Sequence, residues 1–438
     1  MRPIRQIIGR KLFKDTVAFQ AQTFASIIIS LLTSIALTRI LGKDDYGTYV
    51  MVIAVFNLLN IGRYISPGIA VINRIAEANA SKKPNDIKEA IGYYLKVSLI
   101  TGGLVAILGA ALGPALAKLI YGKEVTHLAV RLIFLSVFLS IFSDLTIVMF
   151  QGMRMMLYFA VFNTGLLTIR LCLIAALLFF GYGVTGVVAG YLISAIIGSM
   201  SAIVIMQKAR KNNAENIPAI NEILASVSRA RLGAHLRLVS LTSLNKQTTT
   251  LIGIIPVLLL GRYAAKSEAG FYNLGLHITA TLWSLFLGFA GNLLPYMSEI
   301  KGRNNMTLLK KRFKKITLYS GLAAIVIAVP FALVIRFAIL VVYGQDYLPV
   351  VPVVYVMLPQ YIMCGFGIAA NSYYIVTGRI LFAFSSKVIL LVLSLPFGWW
   401  LVREHLAFGA GIYYSFLSSV VTVIHIVNIL IRIKTDSD

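Results

Sequence analysis

The sequence predicts an all-α integral membrane protein of about twelve transmembrane helices, built as two parallel-repeat six-helix bundles around a central cavity. Three observations predict it. Of the 438 residues, 58% are hydrophobic, and the mean hydropathy of +0.84 is far above that of a soluble domain. Apolar stretches long enough to cross about 30 Å of hydrocarbon recur along the whole chain. The chain also repeats its own punctuation about 220 residues apart: Gly42, Gly47 and Tyr49 return as Gly261, Gly270 and Tyr272. Tyr121-Gly122 returns as Tyr343-Gly344, and Gly152 as Gly378.

The expected spans are roughly 17–40, 46–70, 90–117, 126–150, 156–180 and 184–206 in the first half. Those of the second half are 233–260, 270–298, 314–342, 350–377, 380–402 and 408–431. Spans this continuously apolar are helices, because barrel strands alternate. Six spans per half make the repeats parallel, a plan that transporters use with the substrate between the halves. The expected domains are a bundle over 1–206, a basic cytoplasmic linker over 207–232 and a bundle over 233–438.

Most of the 40 basic residues fall on one side of this arrangement. They include Arg2, Arg5, Arg10, Lys82, Lys83, Lys208, Arg210, Lys211, Lys310, Lys311, Arg312, Lys314 and Lys315. Few, such as Lys43, Lys118 and Lys266, fall on the other. The positive-inside rule then puts both termini in the cytoplasm. The net charge of +24 therefore reads as topology and contact with anionic lipid rather than nucleic-acid binding, for which no compact basic domain is present. The first apolar run reads as a span and not as a cleavable signal peptide. Cys172 and Cys364 lie in apolar helix and read as packing residues.

The loops are short and carry no glycine-rich phosphate loop and no metal-ligand spacing, so no metal or cofactor is expected. A membrane glycosyltransferase or polymerase, the reading from a different class, is expected to carry a sizeable outer loop or acidic motifs. Chemistry must then reside in polar groups within the spans. Span 1 places Thr23, Ser26, Ser30, Ser34 and Thr38 on one helix face, and span 7 carries Thr242, Asn245, Lys246, Gln247 and Thr249. Such faces either line an aqueous cavity or bond to their own backbone and neighbouring helices. Lys246 lies about 13 Å deeper than Arg237 at 1.5 Å per residue. A charge at mid-membrane is unfavourable by at least about 2.5 kcal/mol and faces water or a partner. Arg170 in span 5 has the same problem. Asp144 in span 4 either pairs with Arg170 or another base as a structural bridge, or is an ion-coupling carboxylate. Arg39 sits at the outer mouth or anchors its helix at the interface. Arg336 and Lys387, within about two turns of helix ends, are expected to snorkel. The substrate-binding candidates are thus Lys246, Gln247, Arg170, Arg39, Asn245, Ser26 and Ser30, a cationic, hydroxyl-rich set suited to an anionic substrate bearing hydroxyls.

The turn Arg39-Ile-Leu-Gly-Lys-Asp-Asp-Tyr-Gly-Thr-Tyr49 resembles the "R-x-LG-x-x-x-YG-x-Y" turn of the Wzx-type polysaccharide flippases. These belong to the multidrug/oligosaccharidyl-lipid/polysaccharide exporter superfamily. Gln151-Gly-Met-Arg154, Gly183-Val-Thr-Gly186 and Glu268-Ala-Gly-Phe-Tyr272 resemble further turns of that family. The resemblance implies two bundles around a cationic cavity and alternating-access transfer of polyprenyl-diphosphate-linked oligosaccharide across the cytoplasmic (inner) membrane. Its expected partners are that substrate, membrane lipids and other polysaccharide-assembly proteins, with no nucleic acid and no enzymatic step. Many relatives carry an Asp in span 7, where this chain reads Thr248-Thr-Thr-Leu-Ile-Gly-Ile-Ile-Pro256, so coupling through that helix is not expected. The alternative within the superfamily is a cation-coupled multidrug exporter.

Overall fold

Helix accounts for nearly all of the computed structural model, which describes residues 2–61, 63, 68–122, 126–212, 217–229, 236–303 and 306–435. There is no strand among the described residues. The first half comprises α1 (Arg2–Asn60), α2 (Gly68–Ala80), α3 (Pro84–Tyr121), α4 (His127–Leu139), α5 (Ile141–Gly152), α6 (Met156–Phe179) and α7 (Gly183–Asn212). A short α8 (Ile220–Arg229) follows. The second half comprises α9 (Leu236–Tyr263), α10 (Lys266–Trp283), α11 (Leu287–Gly302), α12 (Met306–Val342), α13 (Val350–Gly367), α14 (Ala370–Thr377) and α15 (Ile380–Thr435). Among the described residues, seven helices are long and apolar enough to cross a membrane, or eight when α4 and α5, bent by 42° at Ser140, count as one span. Two of these, α1 and α15, are each two helices joined at a break, at Gly42 and at Leu406. α9 and the α10–α11 pair fall outside that set, being the more polar spans.

Each break has a local cause. Gly42 has φ 72°, a backbone conformation that glycine adopts without a Cβ penalty, so the helix breaks where the apolar run meets Lys43-Asp44-Asp45. Leu406 takes φ 50° without that freedom. The turn is held by Glu268 of α10, whose Oε2 accepts the Ala407 N–H at 3.0 Å and so serves as the N-terminal cap of the second part of α15.

The chain divides into two compact units, one of residues 1–40, 55–118 and 124–243, the other of 41–54, 119–123 and 244–438. In the first, Ile75, Ile91, Leu95, Leu145, Met149 and Phe150 form a buried core shared by α2, α3 and α5. α8 completes it. Its Ile223 is in this core, while Ile220 and Leu224 border a small apolar pocket that also touches Phe142 and Met206. On its polar side Glu222 Oε1 accepts from Lys88 Nζ at 2.8 Å, and its Oε2 accepts the Ala219 N–H at 2.8 Å. Both bonds favour the charged form and hold this carboxyl below its ordinary value of 4.5.

In the second unit α13 is central, packed against α10, α12 and α15. Its core is aromatic, with Phe286, Tyr361, Tyr373, Tyr374 and Tyr413 buried. The segment 41–54 belongs here. Tyr121 Oη donates to the Met51 carbonyl at 2.9 Å, and Asn273 Nδ2 donates to Tyr46 Oη at 3.3 Å. The motif glycines face each other: a Cβ on Gly270 would lie 3.3 Å from Gly47 N, and one on Gly47 would lie 1.9 Å from the Lys266 carbonyl oxygen. Backbone therefore meets backbone at the two copies of the repeated turn. Rings of Tyr46, Phe271, Tyr343 and Tyr347 surround the contact.

Candidate functional site

Three successive residues of α9 point to different places, because each step along a helix turns by about 100°. Asn245 and Gln247 face inward and are 5% and 4% exposed. Asn245 Nδ2 donates to Asn371 Oδ1 of α14 at 3.1 Å, whereas Asn245 Oδ1 and Gln247 Oε1 are buried with no hydrogen-bond partner among the described residues. Lys246 is exposed, and so are Thr249 and Thr250 at the positions three and four residues on. These three share one face of the helix. The sequence placed Asn245, Lys246 and Gln247 in one cluster; the structure separates them into a polar face carrying Lys246 and an inward pair of amides.

Lys387 of α15 joins the Lys246 face. Its Nζ donates to Thr249 Oγ1 at 2.9 Å. The snorkelling expected for this side chain is therefore corrected: the ammonium is drawn to a hydroxyl on a neighbouring helix and not to its own helix end. Nearby, Gln360 Nε2 donates to Cys364 Sγ at 3.0 Å, and Ser386 Oγ shares a 2.9 Å hydrogen bond with Nε2 of the buried His425. Cys172 and Cys364 are both free thiols.

The other candidates lie in the first unit. Asp144 pairs with Arg63 rather than Arg170, and it also accepts from Ser140 Oγ at 3.1 Å. The "other base" left open by the sequence is thus Arg63, at the end of the span-2 segment and 81 positions away in the chain. Arg170 is half-buried, donates from Nε to Ser194 Oγ at 3.2 Å and lies 4.9 Å over the Tyr191 ring, a cation–π arrangement that shelters its charge. On α1, Ser26 accepts from Gln22 Nε2 at 2.7 Å, and Ser30 and Arg39 are exposed. Thr23, Thr33 and Thr38 bond back to carbonyls of their own helix, so these hydroxyls are spent locally. Thr242 has no described side chain. No group of three His, Cys, Asp or Glu residues is arranged to hold a metal among the described residues.

Lys387, Asn371 and Asn60 are functional-type groups outside the candidate set drawn from the sequence. Asn60 is 3% exposed and its Oδ1 has no partner among the described residues. The signal that could have found Lys387 is the polar triplet Ser385-Ser386-Lys387 inside an otherwise apolar run.

The family model described as "polysaccharide biosynthesis protein" matches residues 12–301. The chain belongs to this family. A comparison with curated protein sequences gave no match. Among solved structures, an inward-facing multidrug resistance MATE family transporter of the MOP superfamily superposes with a TM-score of 0.69 at 14% identity, covering 96% of this chain and 98% of its own. A eukaryotic MATE transporter gives 0.69 at 14% identity over 96% of each chain. A MOP superfamily transporter from Pyrococcus furiosus, described by a reverse polarity of its binding pocket that suggests a different function, gives 0.60 at 14% identity over 97% and 96%. The chain thus has the MATE-type, multi-pass membrane fold.

Proposed function

We propose that this protein is a flippase that carries polyprenyl-diphosphate-linked oligosaccharide units across the cytoplasmic membrane by alternating access, with both termini in the cytoplasm. One observation carries the reading: in a chain of the polysaccharide biosynthesis family, Lys246 stands exposed on a threonine-lined face of α9 and makes no ion pair with a carboxylate among the described residues. A mid-membrane ammonium requires water or an anion. A diphosphate supplies the anion, and the hydroxyl oxygens of Thr249 and Thr250 on the same face can accept from the hydroxyls of a sugar while their own protons go to carbonyls of α9. The Pyrococcus transporter, with its reversed pocket polarity, supports the idea that this fold hosts pockets of more than one sign.

The carboxylate that an exporter coupled to cation entry would use, Asp144, is already neutralised by Arg63. A coupling cation there would have to displace a guanidinium.

Deleting the gene tests the proposal. The lipid-linked repeat unit should accumulate on the cytoplasmic leaflet while one surface polysaccharide is lost. Arrested synthesis of the lipid-linked unit in isolated membranes would make the protein an assembly enzyme instead. Loss of drug efflux with normal polysaccharide would make it an exporter. Lys246→Ala should impair transfer at wild-type abundance.

A further inference from the structure

We infer that Lys387 is a second anchoring residue for the substrate's diphosphate, acting with Lys246 across the threonine face of α9. The inference rests on the flippase reading above.

Its support is independent of Lys246. Lys387 lies seven residues into α15, within easy reach of that helix's first turn, yet its ammonium is held by Thr249 on another helix. The Thr249 hydroxyl is neutral and uses one of three N–H donors. No carboxylate lies within ion-pair distance of Lys387 or Lys246 among the described residues. The described acids of this unit are engaged or placed elsewhere: Glu268 at the Ala407 cap, Glu299 on Arg303, Glu404 exposed beside the Leu406 break, and Asp44, Asp45 and Asp346 beside the glycines at 42 and 344. The titratable neighbours that face Lys387 are Cys364 of α13 and His425 of α15, and neither is a carboxylate. One ammonium, that of Lys387, thus sits on Thr249, and the exposed Lys246 shares the α9 face with that threonine, with no carboxylate paired to either lysine among the described residues. Two like charges held on one face within a membrane are unfavourable unless water or a shared anion meets them. A diphosphate, with two adjacent anionic groups, fits two separated ammonium groups better than a monophosphate does. In this arrangement Thr249 is a positioning residue that holds Lys387 ready between transfer events.

The test uses purified full-length protein in nanodiscs, with a short polyprenyl diphosphate and the matching monophosphate as probes and tryptophan fluorescence as the readout. The wild type should prefer the diphosphate. Lys387→Gln and Lys387→Met should each lose at least about tenfold in diphosphate affinity, the size expected for one charge-assisted hydrogen bond. Their monophosphate affinity should change less, so the preference collapses. Lys387→Arg should recover part of it, and Thr249→Val should have a smaller effect than Lys387→Gln. Melting temperatures without probe check that the variants are folded. Wild-type diphosphate affinity in both neutral variants would overturn the role of Lys387 and leave the flippase reading standing. A wild type that binds neither probe would overturn both.

Discussion

Replacing Asp144 with Asn separates a structural bridge from a coupling site. The substitution keeps the shape and removes the charge, leaving Arg63 with a neutral amide oxygen and the Ser140 hydroxyl, 3.4 Å from Nη2. Two unit charges about 4 Å apart attract by about 4 kcal/mol at an effective dielectric of about 20 and by about 1 kcal/mol in bulk water. The Arg63 side chain is 16% exposed and that of Asp144 38%, so the pair sits between these limits, near about 2 kcal/mol. Each single change, Asp144→Asn or Arg63→Gln, should therefore destabilise the protein by about 2–3 kcal/mol, since it also strands the remaining charge. The double variant should recover most of the loss, giving a coupling energy of about 2 kcal/mol in a double-mutant cycle. Melting of the detergent-purified protein measures the ranking, and transport in cells is scored alongside. A bridge predicts that the double variant transports. If the double variant is stable but inactive, the carboxylate itself is needed and the bridge reading is refuted.

Three further outcomes are expected. An impermeant thiol reagent applied to intact cells should label Cys introduced at Asp44, Ala265 and Gln345 but not at Arg210; the reverse pattern would invert the proposed topology. Gly47→Val should keep the 41–54 segment from seating on α10, because even a Cβ there falls 1.9 Å from a carbonyl oxygen. In that background Thr48→Cys, at a position 5% exposed in the native fold, should become reactive, and unchanged protection would show that the contact can be bypassed. The depressed Glu222 carboxyl stabilises α8 docking fully above its ordinary value of 4.5, and this is lost as pH falls through the lower docked value. Protease sensitivity of the α7–α8 connection should therefore rise only in acid, and Lys88→Ala should move that rise to higher pH.

Hydropathy made the spans legible because lipid imposes the same demand on every helix that faces it. The interruptions were not legible. Ser140, the 284–286 turn and the Ile368–Ala369 join are made by tertiary packing within apolar runs, and none carries a breaker residue. Asp144 was recognisable as misplaced, but its partner was hidden by the distance along the chain. Lys387 was misread because position along a helix tells how near the end lies and not which neighbour offers a hydroxyl. The 3.6-residue spacing of Ile220, Ile223, Leu224 and Val227 was present in the linker; the basic residues around it masked an amphipathic helix that the first unit needs to close its core.

The glycine contact between the repeated turns explains why the duplication can still be read. Gly47 and Gly270 touch through atoms that every residue possesses, so neither copy can gain a side chain without disturbing the other. Around them the copies have drifted: Lys43-Asp44-Asp45 stands opposite Arg262-Tyr263-Ala264, and the two share only the leading basic residue. A joint of this kind has no interlocking shape to unpick. The ring of aromatic residues and the Asn273–Tyr46 bond can therefore vary one residue at a time, while the two glycines that set the approach cannot.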